Sequence, residues 1–227
     1  MAQDRCPAAD GSVPPEAPPG CAICPRLADH RAITATEEPS WFNGAVPSFG
    51  DPQAQLLIVG LAPGRGGANR TGRPFTGDYA GDLLYETLAT LGLSQGRYAA
   101  RADDGLTLRR IMITNAVRCL PPQNKPSTSE IASCRPFLSA RIAALPKLRA
   151  IVTLGKIAHD STLRALGHRP AALPFAHGAQ GEIGGISLHT SYHCSRYNTQ
   201  TRRLTPEMFI TVMRAAAAAA GLAPSTR

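Results

Sequence analysis

A stretch that sets glycine, proline or arginine at every third position or closer can continue neither a helix nor a strand. Residues Gly60 to Asp78, GLAPGRGGANRTGRPFTGD, form such a stretch: nineteen residues hold Gly60, Gly64, Gly66, Gly67, Gly72 and Gly77 together with two prolines, three arginines and one aromatic, Phe75. The apolar run Leu56-Leu57-Ile58-Val59 stands directly before it and reads as a buried strand. The stretch is therefore a loop at the carboxyl end of a strand, where open α/β sheets place their ligands. Glycines let backbone N–H groups approach a ligand closely. The arginines suit phosphate, and Phe75 offers a flat face for a base. Two familiar glycine loops do not fit. A Walker A loop ends in Gly-Lys-Ser or Gly-Lys-Thr, which is missing here. A dinucleotide fingerprint opens a helix within a few residues, whereas this loop is longer and contains Pro63. An ordinary surface loop is the remaining alternative, and Phe75 and Asp78 among glycines and arginines argue for a built site instead.

The chain has 227 residues, which favours one domain, and 43% apolar residues, enough for a core. A net charge of +8 fits an anionic partner, although a merely arginine-rich protein would show the same sign. No stretch has the length for a transmembrane helix. The first residues, MAQDRCPAADGSVPPEAPPG, hold no apolar core of the kind a signal peptide needs. A cytoplasmic monomer without membrane contact is expected. Cysteines stay reduced in that compartment, so six of them invite a chemical explanation.

Residues 1–19, rich in Pro, Ala and Gly, are expected to form a disordered tail carrying Cys6, followed by one domain over residues 20–227. Order should begin at Cys21-Ala22-Ile23-Cys24, with a helix over Arg26 to Ala35. Strands are expected at Gln55 to Val59, Arg109 to Val117, Ala150 to Leu154 and Ile183 to Leu188. Helices alternate with them. One runs from Tyr79 to Leu91, with Leu83, Leu84, Leu88 and Leu91 at helical spacing and Gly92 past its end. A second opens at the capping box Ser127-x-x-Glu130, and Pro136 should kink or break it near Cys134. Lys156 to Leu166 forms a third, and the last runs from Thr205-Pro206 to Gly221. This alternation predicts an α/β fold: a central, mostly parallel, four-stranded sheet between two helical layers. The loops after the first, second and fourth strands then gather on one sheet edge.

Cys21 and Cys24 form a C-x-x-C pair, while Cys119 and Cys134 are separated by fourteen residues. Four thiolates satisfy a zinc ion or an iron–sulfur cluster. The long gap in the second pair is unlike a zinc ribbon. A redox C-x-x-C and plain buried packing are the alternatives. Cys194 directly follows His193, but adjacent residues point to different faces, which speaks against a catalytic dyad.

Taken together, GLAPGRGGANRTGRPFTGD, TNAVRC, SYHCSRYNTQTRRLTPEMF and the four cysteines resemble the uracil-DNA glycosylases of family 5 (type B), within the uracil-DNA glycosylase superfamily. The resemblance runs from about Cys21 to Gly221. It implies a single α/β/α domain and a 4Fe–4S cluster held by Cys21, Cys24, Cys119 and Cys134. The implied activity is hydrolysis of the N-glycosidic bond of uracil in DNA, often extended to other deaminated bases such as hypoxanthine, leaving an abasic site. The family commonly has proline where this chain has Cys194.

A target base must leave the stack to reach a pocket, at a cost of about a few kcal/mol. Gly60, Ala62 and Gly64 belong to the loop that would receive it, and Phe75 would stack on it. Asn115 can present both donor and acceptor to the uracil edge; a simple turn asparagine is the plain alternative. The resemblance makes His193 the donor to uracil O2, where a neutral imidazole suffices to stabilise the departing anion. Other branches of the superfamily position the attacking water with an acidic or amide residue where this chain has Ala62. A methyl group cannot activate water. Asp78 is the candidate carboxylate, with capping of the following helix as its alternative or additional role. Arg70, Arg73, Arg196 and Arg202, with Arg203, are candidate DNA contacts, set against solvated surface charges as the plain alternative. The cluster is expected to be structural, because hydrolysis moves no electrons. No lysine is placed as a nucleophile, so a monofunctional enzyme is expected. Two other classes compete. A non-catalytic iron–sulfur protein that recognises damaged DNA draws support from Ala62 and none from Asn115 and His193. A nucleotide-phosphate enzyme is disfavoured by the missing Gly-Lys-Ser/Thr.

Overall fold

The structure, a computed structural model, describes residues 13–222. Cys6 and the first part of the expected tail lie outside those residues. The chain opens with α1 (Pro25–Glu37), the short strand β1 (Phe49–Gly50), β2 (Leu56–Gly60), a single helical turn α2 (Ala68–Thr71) and α3 (Tyr79–Thr90). A small ribbon of β3 (Ser94–Gln95) and β4 (Thr107–Leu108) leads to β5 (Ile111–Asn115), α4 (Thr128–Ala143), β6 (Ala150–Leu154) and α5 (Lys156–Ala165). The hairpin β7 (Gln180–Ile183) and β8 (Ile186–Ser191), the short α6 (Arg196–Gln200) and α7 (Pro206–Ala219) follow.

The main sheet runs β1-β5-β2-β6-β8-β7. Its inner four strands are parallel, and the two edge strands are antiparallel. Every residue of β2, β5 and β6 is buried, as expected of strands covered on both faces. Alternation sorts their side chains. Leu56 and Ile58 join a core with Leu84 and Leu88 of α3 and Phe209 and Met213 of α7. Leu57 and Val59 join a second core with Leu138 and Ile142 of α4 and Ala158 and Leu163 of α5. Among the described residues, no helix is long and apolar enough to cross a membrane.

Four expectations need correction. The sheet has six strands rather than four. β1 is only two residues long, and Gly184 and Gly185, both left-handed, turn β7 back on β8, so the segment read as one strand straddles a hairpin turn. The glycine stretch is not loop throughout, since α2 forms within it. Pro136 does not break α4. Pro136 and Ala132, whose carbonyl loses its helical donor, are both exposed, so water can satisfy that carbonyl. Finally, residues 13–19 are not loose: Ala17 is buried, Glu16 pairs with Arg118 and Arg141, and the Pro18 carbonyl accepts the Cys21 N–H. The caps at Asp78, Ser127 and Thr205 are as expected.

The glycine-rich segment has few repeating backbone bonds to hold it, and a buried ion pair anchors it. Arg73 donates from Nη1 and Nη2 to the two Asp104 oxygens, each at 2.7 Å, with side chains 5% and 1% exposed. Its guanidinium lies 5.0, 5.5 and 5.9 Å over the rings of Phe49, Tyr85 and Tyr98. Asp104 also accepts from the N–H groups of Ala99 and Leu106. Removing one partner of such a pair leaves an uncompensated charge inside. Asp104→Asn is expected to cost about 3–5 kcal/mol in urea unfolding; a loss under about 1 kcal/mol would mean the pair does not anchor the segment. Arg73 holds the Asp104 carboxyl well below its ordinary value of 3.8. A carboxyl whose pKa drops on folding stabilises the fold above its unfolded value. Wild-type stability should therefore fall as the pH drops below 3.8, more steeply than in the variant.

Candidate active site

Gly60 and Asn115 end β2 and β5 and are direct partners across them. Nothing larger than glycine fits at position 60: a Cβ there would stand 2.4 Å from Asn115 Oδ1 and 2.5 Å from Phe75 Cζ. The glycine loop returns Phe75 to this point. Its backbone is left-handed, with φ at 53°, a conformation uncommon outside glycine and concentrated at functional sites. The hydroxyls of Tyr85 and Tyr98 hold it there by donating to the carbonyls of Pro74 and Phe75, at 2.8 and 3.3 Å.

A cavity of about 910 Å³ opens over these residues. Ala62, Gly64, Phe75, Asp78, Asn115 and His193 all line it, so loops following β2, β5 and β8 do meet on one sheet edge. Asn115 is 3% exposed, and its Oδ1 is buried with no hydrogen-bond partner. An unsatisfied buried acceptor costs about 1–3 kcal/mol, a cost that a donor on an incoming molecule removes. The His193 ring stacks on Phe75, with centroids 5.9 Å apart and 25° between planes. Asn198 Nδ2 donates to the His193 carbonyl at 2.8 Å, while neither ring nitrogen has a protein partner among the described residues. Burial pulls the imidazole pKa down to about 4. The ring is therefore neutral at neutral pH, with one nitrogen able to donate.

Asp78 divides its two oxygens between two tasks. Oδ1 accepts the Gly81 N–H at 3.1 Å and caps α3. Oδ2 faces the cavity-lining glycines Gly64 and Gly67, where added Cβ atoms would stand 3.1 and 2.4 Å from it. Burial raises the carboxyl pKa above its ordinary 3.8, and the charge of Asp82 adds to the rise. Cys194, in contrast, is fully buried in the core, with its thiol 3.4 Å from the Ala80 carbonyl. Burial pushes that thiol pKa up. It forms no dyad with the neighbouring His193 and instead pins the loop to α3.

The arginines separate. Arg196 is exposed, lines the cavity and lies 5.4 Å over the Tyr79 ring. Arg70 is exposed, with Nε donating to the carbonyl of cavity-lining Gly66 at 2.8 Å. Arg202 and Arg203 are exposed but do not line the cavity; Arg203 covers the Tyr192 ring at 4.5 Å. Arg73 corrects an expectation, because its buried pairing with Asp104 keeps it from any phosphate. Gly60 corrects another: it lies under Asn115 and Phe75 and makes room for them, without lining the cavity. Sequence reasoning missed Tyr79, Asp82 and Asn124, which also line the cavity. Asp82 follows Asp78 by one helical turn, a signal that was there to use. Asn124 comes from a left-handed turn far along the chain, with no local signal.

Cys21, Cys24, Cys119 and Cys134 line a second, small cavity and pack with Leu27, Val117 and Phe137. Among the described residues, no three His, Cys, Asp or Glu side chains stand close enough to hold a single metal ion. Two donors already turn to the sulfurs: the Arg118 N–H to Cys134 at 3.3 Å and Arg31 Nη1 to Cys119 at 3.6 Å. Burial raises the Cys119 thiol to about 12 and the Cys134 thiol to about 11. Their thiolates would need a bound cation to form at neutral pH.

The sequence matches the Uracil DNA glycosylase superfamily over residues 47–217. A type-5 uracil-DNA glycosylase of Thermus thermophilus is 46% identical over 209 residues, covering 89% of this chain and 94% of the relative. One of Pyrobaculum aerophilum is 42% identical over 205 residues, covering 88% of this chain and 89% of the relative. A type-4 uracil-DNA glycosylase of the same organism is 36% identical over 156 residues, covering 66% of this chain and 71% of the relative. On this match and these identities, the chain belongs to the uracil-DNA glycosylase superfamily, in its family 5.

Proposed function

We propose that the protein excises uracil from DNA by hydrolysing its N-glycosidic bond and leaving an abasic site. The observation that carries this reading is the unpartnered Asn115 Oδ1, set in the cavity that also holds the neutral His193 ring. Uracil matches it: N3–H can donate to Oδ1, and O4 can accept from Nδ2. Cytosine offers the reverse pattern at those two positions, so an amide held in this orientation selects against it. Phe75 supplies a face for the extruded base. The cavity, at about 910 Å³, exceeds the needs of a pyrimidine and supports acceptance of deaminated purines such as hypoxanthine. Exposed Arg196, Arg70 and Arg202, in a chain of net charge +8, are suited to flanking phosphates.

In the reaction, the C1′–N1 bond breaks and its electron pair leaves with the base. His193 donates a hydrogen bond to O2 and stabilises that charge in a site shielded from water. Water adds to C1′ and gives a proton to Asp78 Oδ2. That proton returns to solvent, and the uracil anion takes one up. A carboxyl with a raised pKa is a stronger base than a solvated one, which favours Asp78 for this step.

The four cysteines are proposed to hold a 4Fe–4S cluster. Four thiols lining one space and N–H donors on two of the sulfurs support it. Such a cluster would cross-link the segment before α1 to the Cys119–Cys134 region, and hydrolysis uses none of its redox chemistry.

Four measurements test these assignments. Wild-type protein should convert a uracil-containing oligonucleotide to an alkali-labile product without cutting it unaided. His193→Ala should slow the single-turnover rate by about 10²–10³-fold with little change in DNA affinity; an unaltered rate removes His193 from the chemistry. Asp78→Asn keeps a good helix cap, so its melting temperature should hold while its rate drops. The base works only when deprotonated and its pKa is raised, so the acidic limb of the wild-type pH–rate profile should lie above 3.8 and vanish in the variant. Wild-type activity that is flat across that range would exclude Asp78 as base. Protein purified without oxygen should contain iron and acid-labile sulfide in equal amounts, and Cys134→Ser should lose both. Zinc in their place would overturn the cluster.

A further inference from the structure

His193 lies two residues beyond the end of β8, and its ring has no protein hydrogen bond among the described residues. The backbone around it must therefore aim it. Up to Thr190 the sheet does so: Gly178 N–H donates to the Thr190 carbonyl at 2.9 Å, and Thr190 N–H to Ala179 at 3.0 Å. Beyond that point β7 offers nothing more to pair with, while on the other side Gly155 N–H still donates to the Ser191 carbonyl at 2.8 Å. A side chain takes its place, since Tyr192 N–H donates to His177 Nδ1 at 3.2 Å. The two rings also stack, with centroids 5.1 Å apart and 27° between planes, and Arg203 lies 4.5 Å over the Tyr192 ring. The Thr190 hydroxyl ties down the turn carrying His177 by donating to the Ala176 carbonyl. An imidazole that accepts a backbone N–H at Nδ1 must be neutral, with its proton on Nε2. Burial favours that form.

We infer that His177 is a positioning residue for His193, extending the sheet by one side-chain hydrogen bond so that the Tyr192–His193 backbone stays in register at the cavity. The inference rests on the role proposed for His193. It requires an acceptor at the place of Nδ1, not an aromatic ring as such. Asparagine puts its oxygen two bonds from Cβ, where Nδ1 stands, whereas glutamine puts its oxygen one bond further, where Nε2 stands.

The test is single-turnover excision of uracil by the full chain, with DNA affinity and thermal melting measured alongside. His177→Ala should slow excision about tenfold or more, since small misplacements of a catalytic group carry losses up to about 10²-fold, while DNA affinity changes little. His177→Asn should restore most of the rate, and His177→Gln should not. In a His193→Ala background, removing His177 should cost nothing further, because the two act as one unit. If His177→Ala does not fold, the Asn and Gln variants decide between them. A Gln variant as fast as the Asn variant, or a penalty that persists in full without His193, overturns the inference alone. A His193→Ala enzyme with the wild-type rate overturns the role of His193 and this inference with it.

Discussion

The parallel pairing of β2 with β5 brings Gly60 opposite Asn115, and the site is built on that one contact. Strand side chains alternate faces, so a slip of one residue would turn the Asn115 amide away and present Thr114 instead. Glycine at position 60 lets the amide and the Phe75 ring lie against bare backbone. Parallel strands end on a common edge, which is why a loop after β2 and a loop after β8 can reach the same amide. The placement of the Asn115 amide at the cavity thus depends on strand register as much as on the residue itself.

Burial then sets the protonation states. Desolvation lowers the His193 pKa to about 4 and raises that of Asp78, because each shift suppresses a charge. At pH 7 the His193 ring is therefore neutral. A neutral imidazole can serve a developing anion without first being an unpaired cation in the protein interior. The carboxyl, lifted toward neutrality, holds a proton more readily than a surface carboxylate. One physical cause therefore moves both cavity-lining groups toward their uncharged forms.

The elements legible in the sequence are those whose signal is local. Apolar runs gave three of the four parallel strands, the caps at Asp78, Ser127 and Thr205 gave three helix starts, and the glycine stretch marked the cavity. The edge strands were hidden because two residues of β1 and the polar β7 carry no periodic pattern. Arg73 looked like a phosphate ligand because residue type does not reveal burial; its partner Asp104 stands 31 residues away. Pro136 looked like a breaker because its exposure, which lets water replace the lost donor, is a tertiary property. His177 went unread for the same reason: its function comes from where β7 begins, not from its neighbours in the chain.

The cysteines lie in a different part of the fold from the reacting groups, yet the geometry links the two. α1 spans 13 residues and buries only Leu27 and Thr34. A helix of that length is marginal in water, and ordering each backbone residue costs about 1–2 kcal/mol. Two buried side chains recover only a few kcal/mol of that. The ion pair from Arg26 to Glu130 adds little, since Arg26 is half exposed. A cross-link would fix α1 where its own burial does little, and the C-x-x-C pair sits at its first turn. The far end of the helix carries Glu37, which pairs with Arg65 at 2.7 Å, and Arg65 lies 5.4 Å over the Trp41 ring. Arg65 lines the active-site cavity. The Cys21–Cys24 pair and the Glu37–Arg65 pair thus stand at opposite ends of one helix, and the second, exposed on both sides, holds Arg65 at the cavity only weakly.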